Sequence, residues 1–133
     1  MIVVTGANGQ LGRRILEQLI ARRGGASGIA ASVRDPGKSA DLVSRGIEVR
    51  AADFDRAESL PAAFAGARTL VLVSTDGPKA QRIAQHASAI GAARAAGVER
   101  IVYTSFIDVA AESPAEFAAV HRATEAELVA SGL

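Results

Sequence analysis

The sequence contains no cysteine and no tryptophan, and only one tyrosine, one methionine and two histidines. Without cysteine there is no disulfide framework and no thiolate zinc site, which fits a reducing, cytoplasmic setting. His86 and His121 alone are too few to suggest a metal centre. A dominant charge is also missing: 15 basic residues face 14 acidic ones, for a net charge of +1. No basic stripe runs along the chain, so neither a nucleic acid nor a membrane surface is an expected partner. No apolar run approaches the ~20 residues needed to span a bilayer. The opening MIVVTG carries no basic stretch or cleavage site, so no secretion signal is expected. What remains is a chain of 133 residues, 49% apolar, with 29 alanines. That is too apolar for disorder and about the length of one domain.

Short β-branched runs alternate with longer stretches of helical period. Strands are predicted at Ile2–Thr5, Ile29–Val33, Ile47–Ala51, Thr69–Val73 and Arg100–Thr104. They read as continuous apolar runs, as in strands covered on both faces. Helices are predicted at Gln10–Arg23, Pro36–Arg45, Glu58–Ala65, Pro78–Ala96 and Ala115–Ser131. Gly24, Gly46, Gly66, Gly97 and Gly132 each follow a helix, where a left-handed residue ends it. Asp35-Pro36 reads as an N-cap and first helical residue, Asp55 with Glu58 as a capping box, and Ser113-Pro114 as a further start. The first helix is expected to bury Leu11, Ile15 and Leu19, and the last Phe117, Val120 and Leu128.

This alternation predicts an α/β fold: a Rossmann-like, doubly wound parallel sheet with helices on both faces. The expected strand order is 3-2-1-4-5, with Arg100–Thr104 at an edge that invites pairing with another chain. In such sheets ligands bind beyond the carboxyl ends of the strands.

The first strand runs directly into Thr5-Gly6-Ala7-Asn8-Gly9-Gln10-Leu11-Gly12, with glycines spaced G-x-x-G-x-x-G. Gly6 allows a sharp turn, Gly9 close approach to a pyrophosphate, and Gly12 close packing of the helix. The helix N-terminus then offers unpaired N–H groups to the phosphates. Strand, glycine loop and amphipathic helix together are the context a dinucleotide site requires.

The residue after the second strand reads the adenosine ribose. A carboxylate there suits NAD, whereas Arg34, with Lys38 a turn later, suits a 2′-phosphate. NADP(H) is therefore favoured over NAD(H). Asp35 is an alternative ribose reader, although capping before Pro36 explains it. Asp53-Phe54 follows the third strand, where a carboxylate can accept from the adenine amine and an aromatic can wall the ring. A turn cap and a core aromatic explain this pair equally well. Ser74-Thr75 ends the fourth strand and can contact ribose or pyrophosphate, or simply form the loop.

TGANGQLG, VRDP after strand two, AADF after strand three, IAQH in the fourth helix, AAGVERIVYTS and HRATEAEL together resemble the NmrA-like atypical short-chain reductases. Within them the sequence is similar to the NAD(P)H:quinone oxidoreductase type 2 group. The resemblance implies NADPH binding, hydride transfer to a quinone, and homodimers. By resemblance, cofactor contacts fall on Gly6–Leu11, Arg34 and Ser74-Thr75, with Asp53-Phe54 added. The resemblance also implies a sixth strand and a substrate region after a Ser-Gly-Leu such as residues 131–133, so the chain is expected to be the cofactor part of a longer architecture.

Typical short-chain dehydrogenases use Tyr-x-x-x-Lys on the helix after strand five. Here the only tyrosine is Tyr103, within the strand, and the pair at that spacing is Phe117 and His121. Alcohol dehydrogenase and epimerase chemistry are therefore not expected. Quinone reduction asks less of the protein, since the nicotinamide supplies the hydride. Solvent or His121 can protonate the quinone oxygen, although a surface pair with Glu125 also explains this histidine. By the resemblance, Ser105 sits where the family's fifth strand ends and can touch nicotinamide or substrate, although a cap or turn explains it more simply, and His86 reads as structural. An NADP(H)-sensing regulator without turnover is the alternative function.

Overall fold

The computed structural model describes residues 1–133. Five strands form one parallel sheet: β1 (Ile2–Val4), β2 (Ile29–Val33), β3 (Glu48–Ala51), β4 (Thr69–Leu72) and β5 (Arg100–Tyr103), in the order β3-β2-β1-β4-β5. Five helices separate and follow them: α1 (Gln10–Arg23), α2 (Ala40–Ser44), α3 (Leu60–Phe64), α4 (Lys79–Ala95) and α5 (Ala118–Ser131). The doubly wound class and the strand order are those expected.

Strand alternation splits the core in two. Val4, Ala31, Val33 and Val71 face α1 and α2, where Leu16 and Leu42 meet them. Val3, Ala30, Leu70 and Leu72 face the other side, packing against Phe64, Ala89, Ile90 and Ala93 of α3 and α4, with Leu128 of α5 at the margin. The register keeps these sets aligned: Val3 pairs with Ala30 and Leu70, and Val4 with Ala31 and Val71. All five residues of β2 are buried. The end strands β3 and β5 are covered less completely, and Val102 is 48% exposed.

Helix α1 has the bounds read from its period. Its buried face centres on Leu16, with Ile15 and Leu19 flanking it, while Leu11 is half exposed. The five glycines expected past helix ends all have positive φ, between 69° and 77°. Elsewhere other short-range bonds displace the expected ones. Pro36–Arg45 is not one helix but a 3-10 turn at Pro36–Lys38, capped by Asp35 on the Gly37 N–H, followed by the short α2. The capping box at Asp55 and Glu58 does not form. Glu58 pairs with Arg56, and Ser59 hydrogen-bonds back to Asp53, giving a 3-10 turn at Ala57–Ser59 before α3. Ser113 caps only the Ala115 N–H, so α5 begins three residues later than the pattern suggests. Phe117 precedes that helix and is 44% exposed.

Leu70 lies at the sheet centre with no exposed surface. Leu70→Ala is expected to lower unfolding free energy by about 2–5 kcal/mol, measured by urea denaturation.

Candidate cofactor site

The carboxyl ends of β1 to β4 open into one cavity of about 590 Å³. Its lining combines Gly6, Asn8, Gly9, Gln10, Leu11 and Gly12 with Arg34, Asp53, Phe54, Ser74 and Thr75. These are 11 of the residues expected to hold a cofactor. Two expected residues are not there. Ala7 is fully buried, its N–H donating to the Ser32 carbonyl. Lys38 lies at the surface, 3.7 Å from the Asp35 carboxylate.

The glycine loop is shaped by close contacts. Gly6 turns the chain at φ +59°. A Cβ on Gly12 would lie 2.3 Å from the Gly6 carbonyl oxygen, so only glycine lets α1 seat against the turn. Gly9 is the N-cap residue and no side chain caps the helix; its first turn carries no acid. The leading N–H groups of a 14-residue helix are thus left to an anion at the cavity wall. This uncapped terminus fits a dinucleotide pyrophosphate.

The opposite wall is residues 73–75, whose three amides are held by side chains from three separate parts of the chain. Val73 N–H donates to Thr5 Oγ1 (2.9 Å), Ser74 N–H to Thr104 Oγ1 (2.8 Å), and Thr75 N–H to His86 Nε2 (3.0 Å). Because His86 Nε2 accepts, the proton sits on Nδ1 and is donated to Thr124 Oγ1 at 2.8 Å. Thr124 in turn donates to the Val120 carbonyl. Burial, reinforced by the Arg82 charge and then by His121, pushes the fully buried His86 down to about 4. His86 is therefore structural, as its mid-helix position suggested, but what it supports is the cavity wall.

His121 is not the surface partner of Glu125. It is only 5% exposed, with Nδ1 2.8 Å from the Tyr103 hydroxyl and Nε2 3.4 Å from an Arg82 nitrogen. The guanidinium donates to Nε2, so Nδ1–H donates to Tyr103. Burial and then Arg82 hold its pKa below the ordinary histidine value. Glu125 instead accepts from Ser105 Oγ. Neither Ser105 nor His121 lines the cavity.

Asp53 serves as a turn cap, accepting from the Asp55 N–H, and also borders the cavity; Phe54 borders it while packing on the core. Sequence reasoning missed Asp55, Asp76 and Gln85 in the lining. Asp55 Oδ1 accepts from both Gln81 and Gln85, which holds its carboxyl below the usual range. The Asp-Phe-Asp spacing after β3 and the Gln before His86 were the available signals.

A parallel α/β fold with a glycine turn feeding an uncapped helix defines a dinucleotide-binding protein. The chain belongs to the NAD(P)H-binding family, which it matches over residues 6–132. It is 43% identical over 133 residues to quinone oxidoreductase 2 of Escherichia coli, covering all of this chain and 46% of that protein. The NADPH complex of the Escherichia coli NADPH-dependent quinone oxidoreductase superposes with TM-score 0.92 at 42% identity, covering 100% of this chain and 46% of that one. Citrobacter triphenylmethane reductase with NADP(H) gives TM-score 0.93 at 40% identity, over 98% and 46%. The chain thus has the fold of NAD(P)H-binding oxidoreductases and spans about half the length of these relatives. No helix is long and apolar enough to cross a membrane.

A histidine buried neutral stabilises the fold above its unfolded pKa of 6.5 and loses that contribution as pH falls toward about 4. The loss amounts to roughly 3 kcal/mol. His86→Gln is expected to melt lower than the unmodified protein at pH 7.5 and to show a shallower fall in stability between those values, followed by thermal denaturation across the range.

Proposed function

We propose that this chain binds NADP(H) and forms the cofactor-binding part of an oxidoreductase that delivers hydride to a quinone. The observation that carries this reading is Arg34. It lines the cavity at the end of β2, is exposed, and forms no ion pair within the chain. Its neighbour Asp35, the alternative ribose reader, spends its carboxylate on the Gly37 N–H. A free guanidinium with the carboxylate turned away favours a 2′-phosphate over a 2′-hydroxyl.

In this assignment the α1 terminus takes the pyrophosphate, Arg34 the 2′-phosphate, and Asp53 with Phe54 flanks the adenine. Ser74 and Thr75 border the cofactor, held in place by their own bonds within the protein: Thr75 Oγ1 lies 3.2 Å from His86 Nε2, and Ser74 Oγ accepts from Thr104 Oγ1 at 3.4 Å. Bound NADPH supplies the hydride, and the chain's residues bind and orient it. His121 is not poised as the proton donor, because both ring nitrogens are engaged and its pKa is lowered. The quinone-bound proton is assigned to solvent. The likeness to a quinone oxidoreductase across the whole chain supports the acceptor.

The occupied Tyr103 and His121 also favour a second reading, an NADP(H) sensor without turnover. Oxidation of NADPH by a simple benzoquinone, followed spectroscopically, separates them: turnover supports the first, and tight binding without turnover the second. Arg34→Ala is expected to weaken NADPH about 10- to 100-fold and NADH far less, measured by calorimetry. Equal losses would overturn the role given to Arg34.

A further inference from the structure

The glycine loop and the β2–α2 loop are bolted together by one side chain. Asn8 is half-buried and borders the cavity. Its carboxamide uses both ends: Nδ2–H donates to the Asp35 carbonyl (3.1 Å), and Oδ1 accepts from Ser39 Oγ–H (2.9 Å). Ser39 has no exposed surface, so this partner is fixed. The Asn8 carbonyl accepts from Arg13 Nε (3.4 Å), and the same guanidinium grips the Asp41 carboxylate in α2. The segment that follows β2 is therefore tied to the glycine loop and α1 at Asp35 and, beyond it, at Ser39 and Asp41.

This restraint acts on a segment where a cation and a carboxylate are neighbours in the chain, Arg34 and Asp35. Arg34 sits at a bend between β2 and Asp35, whose own backbone is extended at φ −127° and ψ 96°. Arg34 lines the cavity; Asp35 does not, and its carboxylate lies on the Gly37 N–H and faces Lys38. A rotation of this segment would exchange the two. A carboxylate facing the cavity would accept from a ribose 2′-hydroxyl and repel a 2′-phosphate.

We propose that Asn8 is a specificity-determining positioning residue. By holding the Asp35 carbonyl and Ser39 together, it keeps Arg34 toward the cofactor and Asp35 away, and so selects the 2′-phosphorylated nucleotide. Only a carboxamide of this length offers a donor to one loop carbonyl and an acceptor to one hydroxyl. The inference rests on the NADP(H) reading above.

The test is the ratio of NADPH to NADH dissociation constants, measured by calorimetry, with melting curves on each variant. Asn8→Ala is expected to reduce the preference for NADPH by about tenfold or more, NADH affinity falling much less than that for NADPH. Ser39→Ala is expected to move the ratio the same way by less. Asp35→Asn keeps an oxygen for the Gly37 N–H and removes the charge. Added to Asn8→Ala, it is expected to restore most of the preference, while alone it changes the ratio little by comparison. A purely structural role would weaken both nucleotides together and leave the ratio unchanged. An unchanged ratio in a folded Asn8→Ala, beside a clear NADPH preference in the unmodified chain, would overturn the proposal alone. Equal affinities in the unmodified chain would overturn the NADP(H) reading and this inference with it.

Discussion

The contact between Gly12 and the Gly6 carbonyl sets the geometry from which the rest follows. A methyl group on Gly12 would sit 2.3 Å from that oxygen and 2.9 Å from the Ala7 Cα. Any other residue would push α1 outward. Seated this closely, α1 presses Leu16 into the face of β1 and β2 and turns Ala7 inward, where its N–H meets Ser32. The same seating leaves the first turn of α1 at the cavity wall. Core packing and an open helix terminus at the cavity are thus two results of one missing side chain.

Across the cavity the constraint is of another kind. Three successive amides, at Val73, Ser74 and Thr75, donate to Thr5, Thr104 and His86. Buried N–H groups need partners, and a loop at a strand end has no neighbouring strand to supply them. Here the residues just past β1 and β5, Thr5 and Thr104, and His86 of α4 each contribute one polar side chain. Thr75 demands an unprotonated Nε2, and the low pKa of His86 provides it near neutral pH. Arg82 lies near both histidines and helps keep each neutral. The polar cluster of Tyr103, His121, Thr124 and His86 therefore braces the wall of the site, and its titratable groups serve shape before chemistry.

Much of this was legible in the sequence where local and tertiary signals agree. Helix α1 combines a hydrophobic period, an opening glycine turn and a closing Gly24, so its limits were recovered from the pattern alone. The segments after β2 and β3 were not, because Ser39 bonds to distant Asn8, Ser59 bonds back to Asp53, and the expected helices break into short pieces. The cavity lining followed the strand ends, which explains why Arg34, Asp53 and Ser74 were found together. Gln85 was missed because it enters from the second turn of α4, a place the rule about strand ends does not reach. Lys38 was included on spacing alone, and the 3-10 turn sends it to Asp35. His121 was misjudged because exposure cannot be read from an i, i+4 spacing when the helix packs against a strand.

The cavity also shows why net charge was a poor guide to the ligand. Its lining holds Asp53, Asp55 and Asp76 against the single cation Arg34, an unpromising sum for an anionic dinucleotide. The sum misleads because some of these charges are already engaged. Asp55 is held by two carboxamides and lies within the field of Arg34, and Asp53 caps its own turn. The uncapped amides of α1 add positive potential that no count of side chains includes. What an anion meets in such a site is the charge left unspent after the protein has satisfied its own groups. Here that remainder is a helix terminus and one free guanidinium, the two groups to which the proposed assignment gives the pyrophosphate and the 2′-phosphate.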